Sequence, residues 1–190
     1  MDVIDELLAN NRAFADSLTQ RPAAPRRGCR LRRGGVRPTP AAQQRALDIR
    51  PSRELAVVTC MDSRLNVFEA LGLGEGQAHV LRNAGGVITD DVIRSLAISQ
   101  RRLGTRAVML IHHTDCGMQT LTDDGFRAEL QEATGLAPSF AIESFSDLDA
   151  DVRQSINRIK ASPFIPHKDA VRGFVFDVAT GKLNEVGLDG

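Results

Sequence analysis

The chain has 190 residues, 24 basic and 24 acidic side chains, a net charge of zero, and neither Trp nor Tyr. That length suits a single domain able to bury a core without staples. The charge balance gives no reason to expect nucleic acid, an anionic membrane surface or an acidic substrate as partner, and no apolar run reaches the ~18 residues that a membrane span requires.

The N-terminal stretch MDVIDELLAN is acidic where a secretory signal would be basic, which predicts a cytoplasmic protein. Over residues 2 to 18, Val3, Ile4, Leu7, Leu8, Asn11, Phe14 and Ala15 recur at helical spacing, so this segment (1–20) is expected to form an amphipathic helical arm. Residues 21–53 carry Pro22, Pro25, Pro38, Pro40 and Pro51 and a crowd of arginines in which Asp48 is the only acid. This stretch has no periodicity and reads as a long, mobile connection. It contains no aromatic residue on which bases could stack.

From residue 54 to the end the pattern changes to short apolar runs separated by helical stretches, the mark of an α/β domain with a mostly parallel sheet flanked by helices. Strands are expected at Leu55 to Thr59, Ala78 to Leu81 and Ala107 to Ile111. Between the last two, Asp90 and Asp91 open a helix, Val92, Ile93, Leu96 and Ala97 make its apolar face, Arg101 and Arg102 close it, and Gly104 stops it. Gly173 to Val178 and Leu183 to Val186 flank a turn at Ala179 to Lys182.

Two of these strands end in reactive residues. AVVTC runs into MDSR and AVMLIH into HTDCG, and in open α/β sheets ligands bind at the carboxyl ends of strands. If the first and third strands are neighbours, Cys60, Asp62 and Arg64 meet His113 and Cys116. Two thiolates and an imidazole match the borderline softness of Zn2+, and three protein ligands leave one tetrahedral position for water or substrate. Asp62 could ligate the metal or accept a hydrogen bond from its water. Arg64 decides between these by pairing with the carboxylate and holding it away. Zinc would then generate hydroxide near neutral pH. The spacing further predicts a closed state at low pH, in which Asp62 leaves Arg64 and takes the fourth zinc position. His113 is preferred to His112 as the ligand because it alone has the H-x-x-C spacing, and strand alternation turns His112 the other way, into packing. His79 and His167 are read as structural or exposed, and Cys29 has no role.

In CMDSR (60–64), RNAGG (82–86), HHTDCGM (112–118), VITDDVIRSLAISQRRLGT and RGFVFDVATGKLNEV the chain resembles the β-class carbonic anhydrases, most of all their short bacterial branch. The resemblance covers most of residues 55 to 187 and implies a parallel sheet of four strands extended by an antiparallel edge strand. It implies an obligate homodimer with the zinc near the subunit interface, frequently a dimer of dimers, and an arm that wraps the partner subunit. It also implies zinc ligation by Cys60, His113 and Cys116, an Asp62–Arg64 dyad, and a substrate-positioning backbone amide at Gly117. The expected reaction is the reversible hydration of carbon dioxide to bicarbonate. A carbonyl sulfide or carbon disulfide hydrolase on the same scaffold is the first alternative. A non-enzymatic module with Asp62 as a permanent fourth zinc ligand is the second. Three features depart from the family pattern: Pro51 stands where plant-type members carry a Gln, the Trp and Tyr of the bicarbonate-inhibited members' second anion pocket are missing, and residues 22–50 resemble no part of the family.

Overall fold

The computed structural model describes residues 2–19 and 46–188. The part of the expected connection that spans 21–45, with Cys29, lies outside them.

The elements in chain order are α1 (Val3–Thr19), β1 (Leu55–Cys60), α2 (Val67–Leu71), β2 (Ala78–Asn83), α3 (Asp90–Leu103), β3 (Ala107–His113), a 3-10 turn (Gly117–Thr120), α4 (Asp123–Thr134), α5 (Leu148–Ala161), β4 (Ala170–Phe176) and β5 (Leu183–Val186). The strands form one sheet in the order β2-β1-β3-β4-β5. The pairs β1–β2, β1–β3 and β3–β4 are parallel, and β5 runs antiparallel along β4. Every residue of β1 and β3 is buried, which is why both read as continuous apolar runs rather than alternating ones.

Side chains alternate between two cores. Leu55 and Val57 of β1 and Ala107, Met109 and Ile111 of β3 pack with Ile4 and Leu7 of α1 and Leu71 of α2. Ala56, Val58, Val108 and Leu110 point to the opposite face, against Val92 and Leu96 of α3 and Val152, Ile156 and Ile159 of α5. The helix after β1 therefore lies on one face and the helix that returns from β3 lies on the other. The chain leaves these two adjacent strands in opposite directions, and the crevice at their carboxyl ends is the topological switch point of the sheet.

The helix read from Asp90 to Gly104 forms as expected: Thr89 caps it by accepting from the Val92 N–H at 3.3 Å, and Gly104 ends it at φ 79°. The arm forms over Val3–Thr19 and packs on its own chain, with Ile4, Leu7, Asn11 and Ala15 buried. Asn11 sits among the apolar positions because its amide is fully used. It donates to the carbonyls of Ala70 (3.2 Å) and Gly181 (2.9 Å) and accepts from the Leu183 N–H (2.8 Å). The fourth strand runs from Ala170 to Phe176, earlier than the expected Gly173 to Val178. Asp177 explains the earlier end: its carbonyl accepts from the Gly181 N–H at 2.7 Å and its carboxylate from the Ala179 N–H at 2.8 Å, so the turn begins there.

His79 is structural as expected, its Nδ1 2.7 Å from the Ser99 hydroxyl, while the backbone of His167 is bonded through the Gln100 side chain. Among the described residues, no helix is long and apolar enough to cross a membrane.

Candidate metal centre

Cys60 is the last residue of β1, His113 the last of β3, and Cys116 lies three residues further on, before the 3-10 turn. Strands β1 and β3 are hydrogen-bonded neighbours, with Thr59 opposite Ile111, so both ends open into the switch-point crevice. One ligand atom from each of Cys60, His113 and Cys116 lies within 4.8 Å of the others, and all three residues are buried.

The fit to a metal rests on the histidine. His113 Nδ1 lies 2.9 Å from the Thr114 carbonyl, which can only accept, so Nδ1 carries the proton and Nε2 keeps a lone pair. That Nε2 is buried and has no hydrogen-bond partner. A buried acceptor facing two thiols, with the opposite ring nitrogen anchored to a carbonyl, is the arrangement of a metal-binding imidazole.

The sulfur atoms are poised in the same sense. The neighbouring Cys116 thiol lowers the pKa of Cys60 to about 4, against the effect of burial and with help from the backbone amides of Asp62 and Gly85. The Cys116 thiol is raised, first by Cys60 and then by burial. The metal-free pair thus shares one proton, and a cation displaces it.

Asp62 and Arg64 lie on the loop leaving β1. The Arg64 Nε donates to both carboxylate oxygens at 3.0 and 3.2 Å, its Nη2 to Oδ2 at 2.7 Å, and its backbone N–H to Oδ1 at 2.8 Å. The Arg64 guanidinium, then its amide, hold the Asp62 carboxyl well below the usual carboxylate range. Asp62 Oδ2 lies 3.8 Å from His113 Nε2, at the edge of the cluster but turned to Arg64.

Three contributors are not legible as functional from residue spacing. Asp115 takes φ 56°, a left-handed conformation, and so presents both its carboxylate (2.6 Å) and its carbonyl (2.8 Å) to Arg64. One guanidinium thereby joins the loops after β1 and β3. Arg82 donates to the carbonyls of Cys60 (2.9 Å) and Asp62 (2.6 Å), fixing the backbone between them. Gly86, at φ 75°, lies so close to β1 that a Cβ would stand 2.8 Å from the Cys60 nitrogen. The RNAGG string carried these last two signals, but without the fold nothing assigns them a task. Gly117 opens the 3-10 turn, is exposed, and has nothing within 4 Å of where its Cβ would be. His112 is buried and packed as expected, yet its Nε2 also lies 2.6 Å from Asp151 Oδ2, a partner that the sequence does not reveal.

Fold and site together define a class of protein: an open α/β sheet with a two-thiol, one-imidazole metal-compatible cluster at its switch point. A family model described as carbonic anhydrase matches residues 55–183. Beta-carbonic anhydrase 1 of Mycobacterium tuberculosis (strain ATCC 25618 / H37Rv) is 50% identical over 98% of this chain and 99% of its own. The crystal structure of a carbonic anhydrase from Streptococcus mutans is similar with a TM-score of 0.71 at 38% identity, covering 98% of this chain and 99% of that one. A carbon disulfide hydrolase of Saccharolobus solfataricus is 35% identical, over 70% of this chain and 77% of its own. The chain belongs to the β-carbonic anhydrase family and is an enzyme of that family.

Proposed function

We propose that the protein catalyses the reversible hydration of carbon dioxide to bicarbonate, with Cys60, His113 and Cys116 holding one zinc ion. The observation that carries this reading is the lone pair of His113 Nε2, buried without a partner beside the two thiols. Zinc bound there supplies the Lewis acidity that makes water nucleophilic near neutral pH.

The remaining work falls to the chain. Ionised Asp62 is an acceptor only, so it takes a hydrogen bond from the attacking water and turns the water's lone pair toward the substrate carbon. Arg64 fixes the plane of that carboxylate through its guanidinium fork, and Asp115 fixes Arg64. The Gly117 amide is assigned to orient a substrate oxygen, a role that suits an exposed turn residue without a side chain in the way. At low pH we infer that Asp62 turns from Arg64 to the metal. Its Oδ2 is already 3.8 Å from the ligating nitrogen. X-ray absorption of the zinc-loaded protein should then differ between low and high pH, and identical spectra on both sides of neutrality would remove the idea.

Hydrolysis of carbon disulfide is the second reading, favoured by the 35% identity to a carbon disulfide hydrolase. The three cluster residues do not by themselves separate the two linear substrates. A permanent fourth ligand from Asp62, the mark of a non-enzymatic module, is disfavoured by the bonds that hold its carboxylate on Arg64.

The deciding experiment is stopped-flow carbon dioxide hydration against pH, run beside hydrogen sulfide release from carbon disulfide. Cys60→Ser should abolish hydration and Asp62→Asn should lower it and alter its pH profile. Full activity in either variant would overturn the scheme, and sulfide release without hydration would move the assignment to the second reading.

A further inference from the structure

We propose that the Asp151–His112 pair is a positioning device for the two sulfur ligands, acting through Phe145. The inference rests on Cys60 and Cys116 being metal ligands, as argued above, and concerns residues to which no role in the site has been given.

His112 is fully buried, with its Nε2 2.6 Å from the carboxylate of Asp151 in the first turn of α5. A carboxylate only accepts, so Nε2 carries the proton, and Nδ1 is left without a partner. Neighbouring histidines on one strand are thus held as opposite tautomers: His113 keeps its lone pair on Nε2, and His112 keeps it on Nδ1. A polar, carboxylate-bonded histidine in an otherwise apolar core costs desolvation that a leucine would avoid. What the pair supplies instead is a fixed ring plane.

The face of that ring stacks on Phe145, with centroids 5.3 Å apart and planes at 28°. Phe145 in turn packs in a small buried cluster with Cys60, Val87 and Cys116. Aromatic carbon against polarisable sulfur is a favourable contact and keeps water off both thiolates. The loop that presents Phe145 is built for the purpose. Glu143 takes φ 59°, a strained conformation for a residue with a side chain, and is held there by Arg158 at 2.9 Å. The Ser144 N–H is pinned to Asp123 at 2.8 Å. On the far side, a Cβ at Gly85 would stand 2.9 Å from the Phe145 ring, so this glycine leaves the ring its seat. The path runs from Asp151 through His112 and Phe145 to the sulfur atoms.

The role predicts an effect on metal binding itself, read without turnover. Zinc affinity is measured by chelator competition, and the sulfur-to-cobalt charge-transfer band is recorded in the cobalt-loaded protein. The variants are Asp151→Ala, Asp151→Asn, Phe145→Ala and Phe145→Leu, with Asn11→Ala as a control that loosens the fold far from the cluster. Asp151→Ala and Phe145→Ala should each weaken zinc about tenfold, as loss of an outer partner of a metal site does, and shift the cobalt band. Asp151→Asn should keep most of the affinity, because its amide oxygen still accepts from His112, and Phe145→Leu should fall between wild type and Phe145→Ala. The control should lower the melting temperature and leave the band in place.

Wild-type affinity and spectrum in either alanine variant would overturn the proposal. So would an asparagine variant as weak as the alanine one, or a band shift of equal size in the control. Should an alanine variant fail to fold, Asp151→Asn and Phe145→Leu decide by the same readings, an unshifted band in Phe145→Leu counting against the role. A wild-type protein that takes up no metal would instead refute the assignment of the cluster.

Discussion

Arg64 engages two carboxylates and a carbonyl at once, drawn from both loops of the site. A lysine cannot reproduce that planar fork. Arg64→Lys should therefore lower kcat/KM for hydration by roughly 10–100-fold, the usual scale for loss of an orienting partner, with little change in zinc content; steady-state kinetics and metal analysis check both parts. The depressed pKa of Asp62 has a consequence for stability. Its folded value lies below the unfolded one of about 3.9, so its contribution is fully present above that pH and is lost as pH falls through the folded value. Urea titrations of wild type and Asp62→Asn should show a stability gap that is constant near neutrality and narrows below about pH 4. Gly86 carries a steric demand instead: with φ 75° and backbone atoms of Thr59 and Cys60 at 2.8 Å from its missing Cβ, Gly86→Ala should cost about 2–4 kcal/mol by chemical denaturation.

At the scale of elements, the site depends on how firmly β1 and β3 are held by the helices on either face. Helix α3 is terminated by its own residues, since Thr89 caps one end, Gly104 the other, and the acidic and basic pairs oppose the dipole at each. Thr89→Ala should remove about 1 kcal/mol. Helix α1 is different, because beside the buried Ile4 and Leu7 its hold includes a buried polar side chain, Asn11. Asn11→Ala leaves the Leu183 N–H and the Gly181 carbonyl without their partner, which should cost about 2–3 kcal/mol. Thermal melts of the two variants should rank Asn11→Ala below Thr89→Ala. The ion pairs of α1, Glu6 with Arg53 and Asp5 with Arg172, lie at the surface and add little beside this anchor.

At the scale of the molecule, Met61 beside the metal cluster and Leu136 and Phe140 in the excursion after α4 expose large apolar side chains. Such side chains suit a subunit interface, and we infer at least a homodimer, as the family resemblance implies. Light scattering should return twice the 20.6 kDa chain mass or a multiple of it; a mass of one chain at micromolar concentration would reject the inference. Removing the metal should lower the melting temperature, since a ligand bound only by the folded state stabilises it.

How much was legible beforehand follows from what each residue requires. The central strands, helix α3 and the members of the Cys60–His113–Cys116 cluster could be read because they rest on local chemistry: apolar runs between turn signals, caps and charges at helix ends, and Cys and His at strand ends. The end of β4 was misplaced because Asp177 stops the strand through bonds that close only in the turn. The partners of the site were hidden for a related reason. Asp115 reaches Arg64, Arg82 reaches the Cys60 carbonyl and Asp151 reaches His112 across separations of 51, 22 and 39 residues. Sequence alone thus determined which side chains could bind a metal and which strands would carry them. Only the tertiary structure decided that Asp115 ties Arg64 to the second loop, that Arg82 fixes the Cys60 carbonyl, and that His112 bonds to Asp151, because each depends on hydrogen-bond geometry between segments that the fold brings together.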